Sequence, residues 1–183
     1  MKNIISISFF IIFFSCSKDI NSSDETLNQS DIDLMNKLQE DVFTFFWDYA
    51  QPNSKLSRER IYENNISFDE NTVTTGGSGF GFLNILIGIE NQFITRSEGI
   101  NHLEIALNFL ENADRFYGAW PHWMDGNNGE VIPFSMLDNG GDIVETAFLC
   151  QALICIREYF KNGSVQEQAL AQKADELWKG VQW

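Results

Sequence analysis

Apolar residues along this chain fall into blocks with two kinds of spacing. Leu34, Leu38, Val42, Phe45 and Tyr49 recur every three to four residues, which predicts one face of a helix from Ser30 to about residue 50, ended by Pro52. Residues 79 to 92, "GFGFLNILIGIENQ", are apolar almost all round. Thr95-x-x-Glu98 has the form of a capping box, and Ile100, Leu103, Leu107 and Leu110 behind it form a single stripe on an otherwise polar helix to about Arg115. Residues 142 to 160 are again apolar on nearly every side, and residues 164 to 181 form a polar-faced helix carrying Leu170, Leu177 and Trp178. No long segment alternates with a period of two, so the chain reads as all-α, with at most short strands near 119 to 134.

A helix that is apolar all round has to be covered on every side, whereas an amphipathic one sits on the outside. The order amphipathic, apolar, amphipathic, apolar, amphipathic is therefore that of outer and inner helices alternating in a double ring. Inner-to-outer connections are short ("FIT", "KNGS"), and outer-to-inner connections, 51 to 78 and 116 to 141, are long. With antiparallel neighbours, both long loops emerge where the inner helices begin. Long loops on a rigid scaffold are where function gathers.

The first 15 residues stand apart. Lys2 precedes the apolar run Ile4 to Phe14, too short to span a bilayer but suited to a signal peptide. Cys16 after a small residue resembles a lipobox, and "SKDINSSDE" resembles the Lys/Asp-containing tag of lipoproteins exported to the outer surface. The expectation is a signal peptide over 1–15, a lipidated Cys16, a tether over 16–29, and an outer-membrane location on the cell-surface or periplasmic side. An ordinary cleaved leader with an incidental Cys is the alternative. The whole chain carries a formal charge of −14, and the part beyond the leader is near −15. Such a surface argues against nucleic acid and anionic lipid as ligands and suits a neutral one. Cys150 and Cys155 read as small buried hydrophobes, with no disulfide framework or zinc site expected.

Candidate chemistry concentrates in "RFYGAWPHWMDGNNGEVIPFSMLDNGGDIVET". Trp120, Trp123 and Phe134 offer flat faces on which pyranose rings can stack. His122, Asp138, Asp142 and Glu145 can bind hydroxyls or move protons. The competing reading packs these aromatics into the loop itself. Asp142 and Glu145 also fit a helix cap, with Asp142 as N-cap and Glu145 at the third helical position. Glycoside hydrolysis uses two carboxyl groups that flank the scissile bond. Two acids on one helical turn approach from one side, so a second essential acid is expected from another loop. "RER" could bring Arg58 or Arg60 to the same end of the ring, with an exposed basic pair as the alternative. "GGSGFG" lacks the Lys-Ser/Thr of a phosphate loop and reads as a tight turn where backbone meets ligand or helix. "DGNNGE" reads as a plain turn, because Met136 stands where a calcium loop needs Glu.

"NTVTTGGSGFGFLNILIGIE", "FITRSEGINHLEIALNFLENADRFYGAWPHWMDGNNGEVIPFS" and "DNGGDIVETAFLCQAL" closely resemble the glycoamylase-like domain family, whose best understood branch is the endo-β-1,2-glucanases of glycoside hydrolase family 144. The resemblance runs from about Ser30 to Trp183. It implies an (α/α)6 toroid and hydrolysis of β-1,2-linked glucan by carboxyl acid/base chemistry, with no metal or organic cofactor. It carries the acids of the "GGDxVET" motif onto Asp142 and Glu145, and cleft residues onto Trp120, His122, Trp123 and Asp138. A full toroid has twelve helices, and about five are read here, which leaves apolar inner-helix faces without partners as a large exposed patch. The expectation is thus the N-terminal part of such a domain, over 30–183, inactive alone and monomeric when full length. A non-catalytic carbohydrate-binding surface lipoprotein is the alternative. Asp142 suits a base or orienting role and Glu145 a proton donor.

Overall fold

A computed structural model describes residues 27–183. The expected signal peptide, Cys16 and all but the end of the tether lie outside the described residues. Five helices dominate: α1 (Gln29–Asp48), α2 (Thr75–Glu90), α3 (Arg96–Asn112), α4 (Ile143–Phe160) and α5 (Val165–Lys179). Three short strands, β1 (Thr72–Thr74), β2 (Trp123–Asp125) and β3 (Val131–Ile132), form an antiparallel sheet in the order β1-β2-β3. The all-α reading holds, as a partial (α/α)6 toroid with α2 and α4 inside and α1, α3 and α5 outside.

The helix starts follow the local chemistry. Asn28, Thr95 and Ser164 each accept from the third helical backbone N–H, and Asp31, Glu98 and Glu167 return the bond, giving three capping boxes. The stripe Ile100, Leu103, Leu107 and Leu110 is buried as expected. Leu149, Leu153, Ile156 and Phe160 of α4 join Phe82 and Ile85 of α2 in the core.

Two expectations are corrected. "GGSGFG" is not a turn but the first turns of α2, which starts at Thr75. Its glycines let the two inner helices touch: a Cβ at Gly79 would lie 2.6 Å from the carbonyl oxygen of Phe148. On α1 the predicted face is the wrong one. Leu34 and Leu38 are 68% and 61% exposed, while Phe43 is buried and Trp47 packs beside it. As expected of about five helices out of twelve, the inner helices are left without partners on one side: Phe80 and Ile87 of α2 and Ile143, Val144 and Phe148 of α4 face solvent. Among the described residues, no element covers those faces.

β2 and β3 fall inside the span where strands were expected, but β1 was not anticipated. It lies in the first long loop and pairs with β2 in the second, so both long loops do meet at one end. Residues 57–59 extend the sheet beyond β1, through an Arg58–Val73 bridge, a Glu59 N–H bond to the Thr72 carbonyl and a Thr74 N–H bond to the Ser57 carbonyl. "DGNNGE" is the β2–β3 connection, with Asn127 N–H donating to the Asp125 carboxylate and Gly129 at φ +78°.

Candidate active site

The sheet sorts side chains by alternation. Arg58, Val73 and Met124 stand in one row and are buried on the inner face. Glu59, Thr74 and Trp123, one residue away on each segment, take the other face and stay partly exposed. That outer face lies beside the N-termini of both inner helices. Thr75 at the start of α2 bonds to the carbonyls of Pro121 and His122, and Asp142 N–H donates to the Trp120 carbonyl.

Asp142 is the N-cap of α4. Its Oδ1 accepts from Val144 N–H at 2.9 Å and Glu145 N–H at 3.0 Å, and its Oδ2 lies 2.9 Å from His122 Nδ1. Partial burial opposes the charged form, but the Glu145 N–H, the His122 ring and the Val144 N–H outweigh it and hold this carboxyl below its ordinary range. With Nδ1 bonded to Asp142, the Nε2 edge of the ring is the one turned toward a ligand hydroxyl in any complex. Asp142 thus orients His122 as well as capping the helix.

Glu145 does not complete the capping box. Its Oε2 crosses to α2, accepting from Gly76 N–H at 2.8 Å and Thr74 Oγ1 at 3.1 Å. Thr74, the N-cap residue of α2, makes no side-chain cap bond of its own, so the carboxylate from α4 fills that place. Gly76 makes room for it: a Cβ there would come within 2.6 Å of Oε2. One oxygen of Glu145 is fixed by α2, and no hydrogen bond within the described residues engages the other.

The aromatics close around His122. Its ring lies 4.3 Å from Phe134 and 5.5 Å from Trp123, which is itself 4.8 Å from Phe134. Trp123 Nε1 donates to Glu59 Oε2 at 3.0 Å, and Glu59 Oε1 pairs with Arg60 at 2.8 Å. Glu59 was missed in the sequence, where the flanking arginines drew attention. It is an acid supplied by the first long loop. Arg60 joins the cluster through it. Arg58 does not join, because it is buried beneath the sheet and donates to the carbonyls of Ile66 and Phe68.

Trp120 departs from its expected role in stacking on a substrate. It is 0% exposed, its Nε1 donates to the Leu110 carbonyl, and Arg115 stacks on its ring at 4.1 Å. Its side chain is core. Its backbone positions the site by bonding Thr146 Oγ1 and Asp142 N–H. Asp138 closes a tight turn with Ser135, and its carbonyl accepts from Phe134 N–H, which fixes the aromatic beside His122.

No family profile matches the chain. It is 42% identical over 159 residues to the exo β-1,2-glucooligosaccharide sophorohydrolase (non-reducing end) of Parabacteroides distasonis. It is 50% identical to the endo-β-1,2-glucanase of Chitinophaga pinensis, solved with sophorotriose and glucose, with a TM-score of 0.77 over 82% of this chain. The chain is homologous to β-1,2-glucanases. A glucoamylase-type protein of Bacteroides caccae, 48% identical, superposes with a TM-score of 0.81 over 83% of the chain. The chain spans 21% of the Parabacteroides protein, 36% of the Chitinophaga chain and 37% of the Bacteroides chain. The printed activities of the Parabacteroides and Chitinophaga relatives are of the glycoside-hydrolase type that the motifs of this chain resemble.

Proposed function

We propose that the chain supplies the glucan-contacting, acid-bearing part of a β-1,2-glucan hydrolase. The observation that carries this is the convergence of Asp142, Glu145 and Glu59 with His122, Trp123 and Phe134 at the end where both inner helices begin. Trp123 and Phe134 stack on sugar faces, while Asp142 orients His122 to bind a hydroxyl or accept a proton. Glu145, with one oxygen held by α2, handles water or the glycosidic oxygen with the other. All three acids sit on this part of the molecule, but the opposite flank of a scissile bond needs a carboxyl group too. The chain by itself accordingly binds glucan without cleaving it. In the cell, lipidated Cys16 holds it at the outer membrane.

Two measurements test this. Tryptophan fluorescence titrated with sophorotriose should saturate for the wild-type chain and lose most of its response in Trp123→Ala. For catalysis, residues 30–183 replace the matching segment of a full-length relative, and reducing ends released from linear β-1,2-glucan are counted. Asp142→Asn and Glu145→Gln in that chimera should each lower kcat by about a hundredfold or more. Undiminished activity in both would remove the catalytic assignment and leave a non-catalytic carbohydrate-binding lipoprotein.

A further inference from the structure

Beyond the cluster around His122, residues 61–68 build a second concave surface. Ile61, Tyr62, Glu63, Asn64, Asn65 and Phe68 line a depression of about 430 Å³. Tyr62 and Phe68 meet edge to face at 5.1 Å, and both remain exposed rather than turning into the core. The loop is nevertheless fixed. Asn65 N–H donates to the Tyr62 carbonyl and Phe68 N–H to the Asn65 carbonyl, giving two successive turns. From below, the buried Arg58 guanidinium holds the carbonyls of Ile66 and Phe68. Asp69, in the left-handed region at φ +55°, accepts from Thr72 Oγ1 and returns the chain to β1.

Aromatic rings held out to solvent on a clamped loop, interleaved with asparagine amides, match the two-sided chemistry of a sugar: apolar C–H faces and a belt of hydroxyls. The surface is also continuous with the candidate active site. The Arg60 guanidinium pairs with Glu59, which holds Trp123, and Tyr62 follows Arg60 two residues on. We propose that the 61–68 loop is a distal subsite for a β-linked glucan chain already seated at Trp123 and Phe134. The proposal rests on the glucan-binding reading above. Because Arg58 pre-sets the loop, little ordering is needed when sugar arrives, and the subsite adds affinity for long chains only.

The test compares sophorose with long linear β-1,2-glucan by calorimetry on the wild-type chain, Tyr62→Ala/Phe68→Ala and Phe68→Tyr. The wild type should bind the long glucan about tenfold more tightly than the disaccharide. The double variant should lose that difference and keep its sophorose affinity, while Phe68→Tyr, which retains a ring, should keep both. Unchanged long-chain affinity in the double variant overturns the subsite alone. Absence of any wild-type binding overturns the subsite together with the reading it rests on. Loss of sophorose affinity in the double variant also counts against it, because the loop would then act on the primary site.

Discussion

Glu145 closes one helix while it sits at the start of another, and the two roles separate by substitution. Glu145→Ala leaves the Gly76 N–H and the Thr74 hydroxyl without their acceptor, which should cost about 1–2 kcal/mol. Glu145→Gln keeps an amide oxygen there and should cost clearly less, while still removing the acid. Urea denaturation decides: equal midpoints for the two variants would refute the inter-helix cap. A second single-residue effect lies on α3. His102 is 7% exposed, stacks 5.0 Å from Trp47 and donates from Nε2 to the Lys55 carbonyl. Burial pushes its pKa down to about 4, against the partial help of the Lys55 carbonyl. Above pH 6.5 neither the folded nor the unfolded chain protonates this ring, and it imposes no penalty. Between 6.5 and about 4 the unfolded chain takes up a proton that the folded chain refuses, so stability falls with pH by roughly 1.4 kcal/mol per unit, about 3 kcal/mol in all. In His102→Gln, which keeps a donor for Lys55, that part of the slope should vanish. A denaturant series from pH 7 to 4 that gives parallel curves for both proteins would exclude it.

At the scale of elements, the sequence pattern located helices better than it located their faces. Capping chemistry is local, so Thr95–Glu98, Ser164–Glu167 and the Asp142 cap could be read directly. The face of α1 could not. Two stripes compete on that helix, Leu34-Leu38-Val42 and the aromatic set Phe43-Phe46-Trp47, offset by one residue or about 100°. The aromatics win because Phe43 reaches Gly88 of α2, where a Cβ would lie 2.2 Å from its ring. Phe43→Ala should therefore cost about 3–5 kcal/mol, and Leu38→Ala less than about 0.5 kcal/mol. Thermal unfolding of the two variants orders these faces, and a larger loss for Leu38→Ala would reverse the assignment. The start of α2 was hidden for a related reason: four glycines in its first seven residues lower helix propensity, and close packing against Glu145, Thr74, Phe148 and Phe46 makes them favourable. The candidate site shows the same division. Asp142, Glu145, His122, Trp123 and Phe134 were legible because they are close in sequence. Glu59 was not, because its place beside Trp123 depends on a strand register between segments 64 residues apart.

For the whole molecule, two large terms oppose each other. The outer face of α1, with Leu34, Met35 and Leu38, and the open faces of the inner helices, with Phe80, Val144 and Phe148, leave apolar surface in water. Contiguous apolar surface of this kind drives association. Against it stands a formal charge of −14 on 183 residues, which keeps copies apart. The balance depends on salt, because charge repulsion is screened over about 10 Å at 0.1 M ionic strength and apolar burial is not. The chain should therefore be largely monomeric at low salt, self-associate as salt rises toward about 0.5 M, and bind a fluorescent apolar dye throughout. Val144→Gln/Phe148→Ser should shift the onset of association to higher salt with little loss of stability, since both side chains are exposed. Leu34→Gln/Leu38→Gln does the same for the α1 face, and comparing the pairs ranks the two surfaces. Sedimentation velocity across the salt series gives the answer. A monodisperse species at every salt concentration, without dye binding, would refute the association of these apolar faces.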